Sequence, residues 1–245
     1  ENKKIYFASD QHLGAPTPEA SLPREKKFVA WLDAIKEDAG TVFLLGDLFD
    51  FWFEYKTVVP KGFVRVLGKL AELKDAGIDI YFFVGNHDLW MRDYFQKELN
   101  IPVFHEPQEF DINGKLFLIG HGDGLGPGDY GYKRMKKIFA FPFFKWLFRW
   151  LHPDIGVKLG HYFSVKNKLI SGDEDAQFLG EENEWLALYC RKKLTEKHYD
   201  FFIFGHRHLP LEIELNSSST YINLGDWIQY FTYGEFMKTF KLKEF

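Results

Sequence analysis

Leu44-Leu45-Gly46-Asp47-Leu48-Phe49-Asp50 is an apolar run that stops at a glycine and delivers one carboxylate, then a second three residues later. A carboxylate so placed can be shared by two metal ions about 3.5–4 Å apart, because it has two oxygens. A Gly-Asp after a buried strand is also a common turn. Four further stretches repeat the design: Ile5 to His12, Tyr81 to Asp88, Leu116 to Asp123 and Phe201 to His208 are apolar, strand-like runs that end in His, Asp or Asn. Asp, Asn and neutral imidazole are ligands that suit Mn²⁺, Fe or Zn²⁺, and a glycine ahead of the ligand lets backbone and ion approach closely. Five such strand ends predict a site for two metal ions.

With 245 residues and 46% apolar content the chain can bury a substantial core. The motifs run from Asp10 to His208, so a domain boundary between them would cut the site in half; one domain, residues 1–245, is expected. A net charge of −4 does not suggest a nucleic-acid binder. The single cysteine, Cys190, excludes an intramolecular disulfide and fits a reducing compartment. No signal-peptide pattern precedes the first strand, and a cytoplasmic, monomeric protein is expected.

Working outward, a strand over 4–9 delivers Asp10 and His12, whose i, i+2 spacing puts both on one side of an extended segment. A Pro-rich loop from Ala15 to Pro23 is expected next. A helix from Arg24 to Ala39 follows, with Phe28, Trp31, Leu32 and Ile35 on its core face and Gly40 as its stop. Phe51-Trp52-Phe53-Glu54-Tyr55 is either packing or a substrate wall. Phe63 to Ala76 reads as a second amphipathic helix stopped by Gly77, and a strand over 79–84 delivers Asn86 and His87. A short helix over Trp90 to Leu99 is followed by a hairpin at Asn113-Gly114 between strands 109–112 and 116–119. Strands at 201–204, 211–215, 220–223 and 235–242 form a second run of sheet. The order argues for an α/β (α+β) chain with mixed sheets sandwiched between helices.

Asp10-x-His12, Gly46-Asp47-x-x-Asp50, Gly85-Asn86-His87-Asp88, Gly120-His121 and Gly205-His206-x-His208 together resemble the calcineurin-like metallophosphoesterases. The resemblance implies a β-sandwich flanked by helices, one metal held by Asp10, His12, Asp47 and His208, and the other by Asp47, Asn86, His121 and His206. The physics agrees: two cations acidify a bridging water and neutralise charge on a phosphoryl oxygen. His87 is the motif histidine not spent on metal, and the resemblance puts it beside the leaving group with Asp50 orienting it. A carboxylate there holds the tautomer and favours the cationic imidazole. The bland alternative is that the pair closes the loop. His105, His152, His161 and His198 read as surface or packing residues.

Between Gly122 and Gly180 lies an insertion of different character. Residues 130–170 carry nine basic side chains against the single acid Asp154, a net of +8 that leaves −12 elsewhere. Ile138 to Leu151 is intensely aromatic, yet short and interrupted by Pro142, Lys145 and Arg149, so it cannot span a bilayer. Basic residues beside Trp and Phe suggest helices that lie on an anionic membrane or line an acyl-chain groove; a helical cap packed on the sandwich is the alternative, and both can hold.

Gly122-Asp123-Gly124-Leu125, Asp129-x-Gly131-Tyr132, the basic insertion and Leu224-Gly225-Asp226-Trp227 are similar to the UDP-2,3-diacylglucosamine diphosphatases of lipid A biosynthesis. In that family the insertion, here about 125–180, is a lid over the acyl chains, and the counterparts of Asp129 and Tyr132 contact the glucosamine, to which Asn86 is added as a substrate contact. Those diphosphatases usually carry Arg and Glu where this chain has His87 and Asp50; the charge balance survives, whereas Arg's bidentate grip on phosphate does not. The resemblance implies an Mn²⁺-dependent hydrolase, peripheral on the cytoplasmic face of the inner membrane, that cuts the diphosphate of UDP-2,3-diacylglucosamine to UMP and 2,3-diacylglucosamine 1-phosphate. Charge and position add Lys166, Asn167 and Lys168 as polar contacts on the lid. The alternatives are a generic metallophosphodiesterase or phosphoprotein phosphatase, and a non-catalytic membrane-associated scaffold.

Overall fold

The computed structural model describes residues 3–127, 130–171, 178 and 180–245, with the backbone alone for 131, 132, 135, 140 and 165–171. The chain opens with β1 (Lys4–Ala8), whose burial deepens toward its C-terminal end, where the site begins. Helix α1 (Pro18–Ile35) starts six residues before the expected Arg24. The Thr17 hydroxyl accepts from the Ala20 N–H at 3.2 Å, and Pro18 occupies the first helical position, where its missing N–H costs nothing. Pro23 is therefore carried inside the helix rather than ending a loop. At the other end Ala39 and Gly40 belong to β2 (Ala39–Leu44), so Gly40 is a strand residue and not the helix stop.

Next come α2 (Val64–Asp75), β3 (Asp79–Phe83), α3 (Tyr94–Leu99) and the short β4 (Val103–Phe104). The β5–β6 hairpin (Gln108–Ile112, Lys115–Ile119) turns at Asn113-Gly114, both with positive φ, as expected. The insertion forms α4 (Tyr130–Ala140), α5 (Pro142–Arg149) and α6 (Pro153–Ser171); α7 (Trp185–Leu194) returns the chain to β7 (Phe201–Phe204), β8 (Pro210–Asn216) and β9 (Ser219–Leu224). The single strand expected over 235–242 is instead the hairpin of β10 (Thr232–Phe236) and β11 (Phe240–Glu244). It joins the first sheet, where β10 pairs antiparallel with β1.

Two mixed sheets result, ordered β11-β10-β1-β2-β3-β4 and β5-β6-β7-β9-β8. Phe7, Phe43, Leu45 and Phe83 of the first sheet meet Phe117, Ile119, Ile203 and Ile222 of the second in a dry middle layer. α1, α2 and α3 cover the outer face of the first sheet through Phe28, Trp31, Leu70 and Phe95, and α7 covers the second through Leu186 and Cys190. This is the helix-flanked sandwich expected from the sequence. The parallel strands β1, β2 and β3, and β6 and β7 opposite, all end on one side, and their following loops form the site.

The α1 layer is held by aromatic packing: Trp31 is fully buried, with Phe28 at 5.4 Å and Trp227 at 5.3 Å between ring centroids. Trp31→Ala should lower the unfolding free energy by about 3–5 kcal/mol, and Thr17→Ala, which removes the cap, by about 1 kcal/mol. Urea unfolding of both variants checks the ranking, and an equal loss would contradict it.

Candidate metal centre

Three of the five strands, β1, β2 and β7, end in residues that turn the chain sharply. Asp10, His12, Asp47, His206 and His208 all have positive φ, between 44° and 70°. A left-handed backbone costs an L-residue roughly 1–2 kcal/mol, and non-glycine residues held there cluster where function demands a side-chain direction that ordinary backbone does not give. The turns stack the five loops closely. A Cβ on Gly46 would lie 2.6 Å from His121 Nδ1, and one on Gly85 would run into the Asp47 carboxylate. The glycines therefore make room for a neighbouring loop's ligand, a different use from the approach of an ion expected for them.

The side chains meet in two groups, each with its candidate donor atoms within 4.8 Å of one another, Asp10, His12 and His208, and Asp47, His121 and His206; a third such group, His12, Asp47 and His87, shares one member with each. His12 Nε2 lies 3.2 Å from His208 Nε2 and 3.6 Å from Asp47 Oδ2, and His208 Nε2 lies 3.6 Å from Asp10 Oδ1. In the second group His121 Nε2 lies 3.4 Å from Asp47 Oδ2 and 3.2 Å from Asn86 Oδ1. Metal–nitrogen bonds of about 2.1 Å give polyhedron edges of about 3.0–3.4 Å, the range of the shorter separations. Asp47 Oδ1 accepts the His87 backbone N–H at 2.8 Å, which leaves Oδ2 as the oxygen that faces both groups. Sharing through one oxygen, rather than one oxygen per ion, is what this geometry offers.

The imidazoles are held from behind. His121 Nδ1 donates to the Leu45 carbonyl at 2.6 Å, His208 Nδ1 lies 3.2 Å from Asp226 Oδ2, and His12 Nδ1 lies 3.4 Å from Asp50 Oδ1. The hydrogen-bond partners of His121 and His208 fix the tautomer that presents Nε2 to a metal. Asp226 was not given this part from the sequence; its signal was the Leu224–Trp227 match that contains it. Asp88, equally unforeseen, accepts from the N–H groups of Gly85 and Leu48 and ties two ligand loops together. Burial, with the Asp47 charge added, raises its carboxyl to about 7.

The residues fit a pair of divalent ions. Asp10 Oδ1 is buried without a hydrogen-bond partner, and carboxylates, imidazoles and an amide oxygen converge with no thiol among them; Cys190 lies in the separate core under α7. Burial disfavours a charged His121, but Asp47 beside it outweighs this and raises the imidazolium to about 10. Burial, with the His121 charge, pushes His206 down to about 3. Despite burial, His121 and His87 hold the Asp47 carboxyl well below its usual range.

His87 stands beside both groups, within 4.8 Å of His12 and Asp47. Its Nδ1 lies 3.0 Å from the Asp50 carbonyl and 3.6 Å from the Asp50 carboxylate, so the closer contact is with the backbone oxygen. His161 is more than a surface residue: Nδ1 lies 3.5 Å from Asp50 Oδ2 and Nε2 lies 3.2 Å from the Pro16 carbonyl. His105, His152 and His198 are exposed. The Phe51–Tyr55 loop serves as packing for the insertion: Phe148 of α5 sits 4.7 Å from the rings of both Phe53 and Trp90, and Lys136 of α4 pairs with the buried Asp123 at 2.7 Å. The other aromatic side chains of α5 face outward, with Phe143, Phe144 and Trp146 exposed, as is Trp150 just after the helix. Asp129 lies outside the described residues, as do the side chains of Tyr132, Lys166, Asn167 and Lys168. Among the described residues no helix is long and apolar enough to cross a membrane.

Two stacked mixed sheets whose strand ends converge on paired His/Asp groups define a metal-dependent hydrolase of phosphate esters. Residues 3–210 match the calcineurin-like phosphoesterases, and the chain belongs to that family, whose members use divalent metals. It is 39% identical to a protein of Porphyromonas gingivalis named UDP-2,3-diacylglucosamine hydrolase, over 94% of this chain and 92% of the relative. A protein of the same name from Actinobacillus succinogenes is 27% identical over 91% and 92%. An archaeal phosphodiesterase structure superposes with a TM-score of 0.48 at 16% identity, covering 98% of each chain.

Asp47→Ala should abolish turnover and strip metal from both positions, read by elemental analysis; a variant keeping one-tenth of wild-type activity would show that Asp47 is not shared. Metal binding must also displace the proton on His121, which the metal-free fold holds up to about pH 10. Affinity should therefore rise with pH below that value. Calorimetry at pH 7.5 in buffers of different ionisation enthalpy should detect proton release, and none would contradict the assignment.

Proposed function

We propose that the chain hydrolyses the diphosphate of UDP-2,3-diacylglucosamine, giving UMP and 2,3-diacylglucosamine 1-phosphate for lipid A biosynthesis. The observation that carries this reading is the 39% identity over 94% of this chain and 92% of the relative. The uncovered share is far shorter than the insertion, so most of the lid takes part in the likeness.

We take the whole chain as one domain with the lid inserted, since the ligand loops come from both sheets. Asp10, His12, Asp47 and His208 would hold one ion, and Asp47, Asn86, His121 and His206 the other, with Mn²⁺ taken as the ion among those this oxygen-and-nitrogen donor set suits. When bound, such a pair supplies an activated water and offsets charge on the phosphoryl oxygens. His87, with Nδ1 occupied, presents Nε2 to the scissile phosphate and the departing oxygen, where it donates a hydrogen bond or a proton. Asp50 holds it there. Asn86 would also touch the phosphate, Asp129 and Tyr132 the sugar, and Lys166, Asn167 and Lys168 the lid side of the ligand.

The lid supports the lipid part of the reading. One side is packed through Phe148 on Phe53 and Trp90, while Phe143 (54% exposed), Trp146 (51%) and Trp150 (74%) remain open to acyl chains or to a membrane surface. The +8 charge of residues 130–170 would draw that face to an anionic leaflet. With this reading we take the protein as a monomer working on the cytoplasmic side of the inner membrane.

Replacing Phe143, Phe144 and Trp146 together by polar residues should raise KM for the diacylated substrate tenfold or more, because each aromatic buried against a chain contributes about 1.5–3 kcal/mol. Bis(p-nitrophenyl) phosphate, which has no acyl chain, should be cleaved as before. An equal drop for both substrates at unchanged thermal stability would mean that the face serves the catalytic centre and not the lipid.

A further inference from the structure

The lid helix α6 reaches the catalytic centre itself. Gly156, Gly160 and Ser164 recur every four residues and so share one face of the helix. A Cβ on Gly160 would enter the Phe51 ring, and one on Gly156 would strike the Tyr55 hydroxyl, so the helix is seated against the loop that follows Asp50. The third member of the stripe is polar. Ser164 Oγ lies 2.9 Å from Asp50 Oδ2, 2.9 Å from the Asp50 carbonyl and 2.6 Å from His87 Nδ1.

The directions of these bonds follow from chemistry. A carbonyl and a carboxylate only accept, so the one hydroxyl proton of Ser164 goes to Asp50, and its lone pairs are left to accept from His87 Nδ1–H. The Asp50 carbonyl, 3.0 Å from Nδ1, requires a proton on that nitrogen as well, which the imidazolium that donates from Nε2 also carries. His161, one turn earlier on α6, approaches the same carboxylate at 3.5 Å. One ring nitrogen of His87, Nδ1, is therefore held jointly by the Asp50 loop and by a residue of the lid.

We propose that Ser164 is a positioning residue for His87, so that seating the lid helix completes the catalytic centre as well as covering it. This rests on His87 acting beside the leaving group. Ser164 would then act on every substrate, with or without acyl chains, through the orientation of the imidazole.

The test is a double-mutant cycle on the Mn²⁺-loaded protein with bis(p-nitrophenyl) phosphate. Ser164→Ala should lower kcat about tenfold with KM nearly unchanged and metal content intact, and Ser164→Thr, which keeps the hydroxyl, should recover most of the loss. In a His87→Ala background the same Ser164→Ala change should cost nothing further, since residues that act as a unit are not additive. A loss by Ser164→Ala that persists at full size in that background overturns the proposal and marks a direct substrate contact. Failure of Ser164→Thr to recover activity overturns it in favour of a packing role. A His87→Ala variant with wild-type kcat would remove both the role given to His87 and the proposal that rests on it.

Discussion

Everything in the site depends on one buried carboxylate. Asp47 is 1% exposed, anchored on one oxygen by the His87 backbone and turned on the other toward imidazoles from two different sheets. An isolated charge in such a place would be driven to neutrality. Here His12 and His121 converge on it, and together with Asp10, Asn86, His206 and His208 they make a concentration of acceptors that only cations and protons can balance. The left-handed backbone at five of these positions adds strain, and the strain is tolerated because the surrounding sandwich over-determines it: β1, β2 and β3 are in register in one sheet and β6 and β7 in the other.

The dry layer of Phe7, Phe43, Phe83 and Phe117 fixes the spacing of the two sheets, and that spacing sets the distance between the ligand loops. The order of causes thus runs from apolar strand to stacked sheet to loop, and only then to metal chemistry. The Asp226 carboxylate behind His208 extends the order by one step, because an imidazole whose outer nitrogen is held has a single way to present the inner one.

Much of this was legible in the sequence because strands that end in His, Asp or Asn repeat five times, and repetition outweighs the ambiguity of any single Gly-Asp. Mixed sheets between helices followed from the order of the apolar periods, and the helix-flanked sandwich from the motifs that resemble the family. Illegible were features set by contacts between distant residues. The early start of α1 was hidden by its two prolines, although Thr17-Pro18 is a capping signal; the hairpin at 237–239 was hidden by the alternating pattern on both sides of it. The partners of His161 and Ser164 at the site lie far from them in the chain, so nothing in the local pattern distinguished the two from surface polar residues. Their roles depend on how far α6 and the Asp50 loop travel to meet.

The seating of Gly160 on Phe51 has an evolutionary consequence. A helix that touches a loop through the bare backbone of a glycine leaves neither partner free to drift: a larger residue on the helix requires a smaller one on the loop, and each change moves the Asp50 carboxylate. Residues 50–55 and 153–164 should therefore vary as a linked pair among relatives, and a lid transplanted between two members of the family should carry its matching loop with it. Changes of ligand preference in this lineage would then come as paired substitutions, with the metal loops left untouched.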